Sequence, residues 1–267
     1  MKKIFSKHSL SVVYILIIIN VIGFIFPSLI SFLWQKDLAV FYQNLGLSQY
    51  FSIFLPKFWT IITYAFLHST FFHLLFNMIL LYFVGIIFMN LFNPKRFLFL
   101  YVLGVIFGGI LFILAFSFLP VFSNRNDILI GASAGVMAIL IFLATYTPQY
   151  RVFLFGVFSL PLWVFGVLMV CIDLASIPIT NAGGHISHLG GAFLGFIYAF
   201  SIKKNIFQRT LPKRRKRTSE NSVTSLQDKK NEEKINNILD KISKSGYDSL
   251  TREEKKFLFL ASKENLK

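Results

Sequence analysis

Acidic side chains are nearly missing from most of this sequence. Before residue 205 there are three, Asp37, Asp127 and Asp173, and only 15% of the chain is charged at all. That scarcity excludes an ordinary soluble domain, whose surface needs charge of both signs. There is one cysteine, Cys171, which rules out an intramolecular disulfide and a cysteine-rich metal site. What fills the space is apolar: 55% of residues are hydrophobic, 33 of them phenylalanine. The chain reads as a polytopic, all-α integral membrane protein.

A helix needs about 20 apolar residues to cross the hydrocarbon layer. Six spans are predicted, at about 11–33, 73–92, 97–119, 132–147, 153–173 and 187–202. The fourth and sixth are short and carry glycine, which suits the interior of a bundle, where protein rather than lipid surrounds the ends. Lys2, Lys3 and Lys7 precede span one, Lys95 and Arg96 join spans two and three, Arg151 joins four and five, and Lys203, Lys204 and "KRRKR" (213–217) follow span six. The alternate loops carry only Lys36, Lys57 and Arg125. This asymmetry predicts both termini in the cytoplasm. Span one is long and lacks a small-x-small exit site, so it reads as an anchor and not as a cleaved signal peptide.

The net charge of +15 lies mostly in the tail beside span six, where it can meet anionic lipid headgroups. No nucleic-acid-binding module accompanies it, so no nucleic-acid partner is expected. The domain reading is a membrane domain over 1–203, a basic flexible linker over 204–230 and a small cytoplasmic helical hairpin over 231–267. In that hairpin Ile235, Ile238, Leu239 and Ile242 form a helical stripe, Gly246 a break, and "TREE" from Thr251 a capping box. Residues 34–58 are aromatic and poor in charge, and are expected to lie along the outer interface.

Histidine and asparagine are costly in hydrocarbon, so each one inside a span is a functional candidate. "HSTFFHLLFNM" supplies His68, His73 and Asn77 at the outer end of span two, with His73 and Asn77 four residues apart on one helical face. "GGHISHLGGAFLG" supplies His185 and His188 at the outer end of span six, and Ser133 opens span four on the same side. Gly131 and Gly135 flank Ser133, and Gly191 and Gly195 follow His188 at the spacing that lets helix backbones approach closely. Packed through those faces, His188 could act as general base on the Ser133 hydroxyl. Asn77, His73 and the N–H groups opening span four could stabilise an oxyanion. Asp127 lies in a loop and Asp173 near the outer end of span five, so the expectation is a Ser–His dyad with no acidic partner.

Three segments carry a family resemblance. "WTIITYAFLHSTFFHLLFNM" (Trp59 to Met78), "GASAGV" (Gly131 to Val136) and "HLGGAFLG" (His188 to Gly195) resemble, in order, the second-helix, nucleophile and last-helix motifs of the rhomboid intramembrane serine proteases. The resemblance spans about residues 10–203 and implies a six-transmembrane-helix rhomboid-like bundle. It implies Ser133 as nucleophile, His188 as base, and His73 and Asn77 as oxyanion-side residues. It also implies transmembrane-protein substrates, no cofactor, and a bacterial plasma membrane location with the site opening outward. The tail resembles the C-terminal extension of some bacterial members. Thr60 stands where many members have Arg, Ala134 where many have Gly, and Met137 where an aromatic often stacks on the histidine.

Blander readings stand beside these. Ser133 alone could be a small residue at a helix contact. His68 is expected to hold the first loop through a hydrogen bond, and His185 to be a loop or interface histidine. A zinc site built from His68, His73, His185 and His188 is conceivable, but there is no HExxH and no carboxylate is expected in the cluster. The alternative within the family is an inactive rhomboid-like scaffold that binds transmembrane helices. No inverted repeat or charged midplane pathway supports a transporter. Oligomeric state is not legible in the sequence.

Overall fold

The computed structural model describes residues 10–35, 37–154, 158–210 and 222–264. In chain order the elements are α1 (Ser11–Trp34), α2 (Ala39–Leu45), β1 (Leu47–Ser48), α3 (Phe51–Phe54), α4 (Thr60–Thr63), α5 (Phe71–Leu91), α6 (Pro94–Phe118), β2 (Ile128–Leu129) and α7 (Ser133–Tyr146). They continue with β3 (Arg151–Leu154), β4 (Phe158–Pro161), α8 (Leu162–Ser176), α9 (Ala182–Thr210), α10 (Ser222–Ser245) and α11 (Arg252–Glu264). Contacts divide the chain into two units, Met1–Leu211 and Pro212–Lys267.

Among the described residues, four helices are long and apolar enough to cross a membrane: α1, α5, α6 and the Ala182–Lys203 part of α9. α7 and α8 are shorter apolar helices. At 14 residues, α7 rises only about 21 Å, short of the roughly 30 Å hydrocarbon thickness. Its surroundings make that length tolerable. Ala134 through Ala144 are all buried, with α5, α6, α8 and α9 packed around them. The interior placement expected of span four therefore holds.

Spans five and six differ from expectation. The stretch read as the start of span five is an antiparallel hairpin, with Arg151 opposite Pro161 and Phe153 opposite Ser159. α8 then begins at Leu162, directly after Pro161, whose ring suits the residue before a first turn and cannot donate to a ladder. Apolar composition alone does not separate a strand from a helix end, so a span predicted over 153–173 takes in both. The sixth helix is not short, since α9 starts at Ala182 and its apolar part runs to Lys203.

Helix starts follow local chemistry. Thr70 caps α5 by accepting from the His73 backbone N–H at 3.1 Å, and Asn93 caps α6 by accepting from Arg96 N–H at 2.9 Å, with Pro94 in the first turn. The loop after α1 folds into the short helices α2 to α4 and keeps Phe51, Phe58 and Trp59 exposed. It is tied to the segment before α7 by β1 pairing β2, Leu47 opposite Leu129. Gln49 adds a clamp, its Oε1 accepting from Asp127 N–H at 2.8 Å and its Nε2 donating to Arg125 O.

In the second unit α10 and α11 make a helical pair. Gly246 breaks it at φ 78°, a conformation that favours glycine. The capping box forms reciprocally: Thr251 N–H donates to Glu254 Oε2 at 2.7 Å and Glu254 N–H to Thr251 Oγ1 at 3.3 Å. Lys241 of α10 reaches both Glu254 oxygens, at 3.0 and 3.1 Å. The stretch read as a linker over 204–230 is helical at both ends, since α9 runs to Thr210 and α10 begins at Ser222. The "KRRKR" run and Lys2, Lys3 and Lys7 lie outside the described residues.

Candidate active site

Small residues bring three helices together. A Cβ on Gly191 would overlap the Ala134 carbonyl, and one on Gly195 the Ala138 carbonyl, so α9 lies backbone against α7. α6 enters the same seam: a Cβ on Gly108 would fall 2.6 Å from Ala134 Cβ and 2.8 Å from Ser187 O. Such contacts need glycine on at least one side. The Gly191 and Gly195 face was expected to clear α7, and it does.

That seam sets the distance between Ser133 and His188. Ser133 is the first residue of α7, and its Oγ lies 2.6 Å from His188 Nε2. Gly131 approaches through an unusual backbone. Its φ is +122°, its N–H donates to Tyr64 O at 2.9 Å, and a Cβ there would stand 2.8 Å from His73 Nε2. His73 therefore faces the turn that leads into α7. Asn77 is one turn further along α5 and donates to His73 O at 2.9 Å, so its amide now serves its own helix.

Phe72, His73, Phe76, Asn77, Ile130, Ser133, Met137, Met169 and His188 line one cleft of about 340 Å³. All four candidate site residues thus border a single cavity. The opening N–H groups of α7 have no carbonyl one turn behind them, and the positive end of the helix dipole is at Ser133. Negative charge developing beside the serine oxygen would meet donors there.

Three sequence readings need correction. An acidic residue does reach the imidazole: Asp173 of α8 is 3% exposed, and its Oδ1 lies 2.7 Å from His188 Nδ1. The sequence put Asp173 near the right end of its span, but which way α8 turns it depends on the preceding hairpin. His185 is not in a loop. It sits in the first turns of α9, with Nδ1 at 2.8 Å from the same Oδ1. His68, in the connection before α5, does not hold the first loop through its ring, because both of its ring nitrogens are buried without a partner among the described residues. Its carbonyl does so instead, accepting from Tyr42 Oη at 3.2 Å. Burial pushes the His68 imidazole down to about 3, with His73 adding to the effect.

The four-histidine metal set is also redrawn. The group with ligand atoms within 4.8 Å of one another is Asp173, His185 and His188, so a carboxylate does lie in the cluster. Its atoms already hydrogen-bond to each other through Asp173 Oδ1, which accounts for the cluster without an ion. His68 and His73 form a separate edge-to-face pair with ring centroids 4.9 Å apart.

Comparisons with known proteins agree with this organisation. The family model described as "Rhomboid domain" matches residues 55–205. A second, "Family of unknown function (DUF6576)", matches residues 224–264, within the unit that holds α10 and α11. The chain is 28% identical over 162 residues to RHOMBOID-like protein 12, mitochondrial, of Arabidopsis thaliana. That alignment covers 56% of this chain and 48% of the relative, so the chain spans about half the length of the protein it matches.

Proposed function

The chain belongs to the rhomboid family, and from that premise we propose that it is an intramembrane serine endopeptidase acting on transmembrane or juxtamembrane segments of other membrane proteins. The observation that carries the reading is the 2.6 Å contact between Ser133 Oγ and His188 Nε2 at the head of a buried helix, beside His73 and Asn77. His188 Nε2 takes the Ser133 proton as Oγ bonds to the scissile carbonyl carbon. The resulting oxyanion is stabilised by the His73 imidazole, the Asn77 amide and the opening N–H groups of α7. Asn77 must turn from its own helix to serve there. Collapse of the tetrahedral species breaks the C–N bond, and His188 returns the proton to the leaving nitrogen. His188 Nε2 then takes a proton from a water whose oxygen bonds to the acyl carbon; the C–Oγ bond breaks and the proton returns to Ser133 Oγ.

The charge asymmetry supports both termini in the cytoplasm and a cleft open to the outer side, with the basic tail against anionic lipid. Residues 1–203 form the catalytic core in this reading and 231–267 a cytoplasmic module. A substrate helix must unwind to expose its carbonyl, which favours helix-destabilising or small residues near the cut.

The test incubates the purified full chain in detergent with a model single-span substrate and maps the products by mass. A single defined cut, lost in Ser133→Ala together with fluorophosphonate labelling, is the expected result. Full cleavage by Ser133→Ala removes the assignment. Substrate binding with no product and no labelling of the wild type points instead to a helix-binding scaffold.

A further inference from the structure

We infer that Asp173 is a positioning residue that holds His188 in the one tautomer able to accept the Ser133 proton, so that the site works as a Ser133–His188–Asp173 triad braced by His185. The inference rests on the proposed peptidase reading of the same site.

The argument starts from donor and acceptor inventory. A neutral imidazole has one N–H and one bare nitrogen, and an ionised carboxylate only accepts. Asp173 Oδ1 lies 2.7 Å from His188 Nδ1, so that nitrogen carries the hydrogen. Nε2 is then bare, and it is Nε2 that faces Ser133 Oγ at 2.6 Å. The opposite tautomer would set the Nδ1 lone pair against a carboxylate lone pair and leave the serine proton no acceptor. When Oγ attacks, its proton moves to Nε2 and the imidazole becomes cationic with Asp173 Oδ1 against its other end. Asp173 is buried and His188 half-buried, and away from bulk water such a contact counts for more. The proton later leaves Nε2 for the amine, and none is passed on to Asp173.

The carboxylate is itself held. His185 lies three residues before His188 on α9 and donates from Nδ1 to the same Oδ1 at 2.8 Å. Asp173 is 3% exposed, and its Oδ2 has no partner among the described residues. The two histidines are therefore its hydrogen-bond partners, both from one helix. A merely structural Asp173 would pin α8 to α9 and leave the chemistry alone.

Asp173→Asn separates these roles, because asparagine keeps the shape and can still bond to either histidine. Its amide N–H can, however, donate to Nδ1 and shift the hydrogen to Nε2. With the full chain in detergent and a model single-span substrate, kcat is expected to fall on the order of 10²- to 10⁴-fold, the scale of loss when a triad carboxylate becomes an amide. KM should move by less than about threefold, since no substrate contact is removed. Asp173→Glu, with the charge on a longer arm, should recover part of that kcat. Independently of activity, ¹⁵N-histidine NMR of the wild type should show His188, assigned by its loss in His188→Ala, with hydrogen on Nδ1. In Asp173→Asn the signal should move toward the other tautomer. Wild-type kcat in Asp173→Asn, or a wild-type His188 carrying its hydrogen on Nε2, overturns the inference. If Asp173→Asn does not yield monodisperse protein, Asp173→Glu and the wild-type spectrum decide. A wild type that neither cleaves nor labels removes the peptidase reading, while the spectrum still reports on Asp173 and His188.

Discussion

Gly191 of α9 meets the carbonyl of Ala134, the residue after Ser133, with no room for a side chain between them. The contact is the mechanical cause of the Ser133–His188 distance, because any group inserted there must move α9 away from α7. Gly191→Ala is therefore expected to lengthen the serine–histidine contact and abolish cleavage. Gly195→Ala, which meets Ala138 O further from the site, should lower thermal stability while leaving more of the activity. Overpacking of this kind costs about 1–3 kcal/mol or more. Melting in detergent and cleavage of a model substrate measure the two effects, and equal activity in the two variants would contradict the assignment.

His188 and His185 share one carboxylate oxygen, yet only His188 touches Ser133. His188→Ala should lose cleavage and fluorophosphonate labelling together. His185→Ala removes a brace and not the base, so it should retain a substantial part of kcat. The reverse pattern would mean that His185 is the base.

His68 links stability to pH. Burial holds its imidazole down at about 3 in the folded chain, whereas an unfolded histidine titrates near 6.5. Between those values the unfolded chain binds a proton that the folded chain does not. The stability contribution is thus fully present above about 6.5 and is lost progressively as pH falls toward 3. Replacing His68 by Gln removes this linkage. The melting temperature of His68→Gln should fall less than that of the wild type between neutral pH and about pH 5, and parallel curves would show that His68 is not the group responsible.

In the tail, Thr251 and Glu254 cap α11 reciprocally. Hydrogen bonding by the Thr251 N–H, then by Lys241, holds the Glu254 carboxyl below its ordinary range. Its contribution is accordingly present at neutral pH and lost as pH falls through that lowered range. Thr251→Ala should weaken the first turn of α11 by about 1 kcal/mol, read as faster amide exchange at residues 252–255 of the full chain. Unchanged exchange there would remove the cap from the account.

Deleting residues from 218 onward should leave cleavage in detergent intact, since Ser133, His188, His73 and Asn77 all belong to the first unit. A truncated protein that is monodisperse yet inactive would make the tail a required part of the enzyme.

The signals that were legible beforehand are local ones. A run of apolar residues declares a membrane helix wherever it packs, which is why α1, α5 and α6 fall close to their predicted limits. Ser133, His188, His73 and Asn77 stood out because polar groups are rare in such runs, and "TREE" because a capping box closes within four residues. The first residues of the span expected over 153–173 are strand and not helix, because strand and helix look alike in a mostly apolar stretch and only the pairing of Val152 with Leu160 and Phe153 with Ser159 tells them apart.

What the amino-acid sequence determined by itself was the class of protein, most of its helices and four of the polar residues that border the cleft, Asn181 being a fifth that it did not single out. Those follow from hydropathy and short-range spacing, which need no knowledge of neighbours. Only the tertiary structure decided that Asp173 meets His188, that His185 shares the same oxygen and that the His68 ring nitrogens have no hydrogen-bond partner among the described residues. A carboxylate's partners depend on how α8 is rotated after the β3–β4 ladder and on how closely α9 approaches through Gly191 and Gly195. Those distances are set by steric contact between helices far apart in the chain, and nothing in a single helix records them.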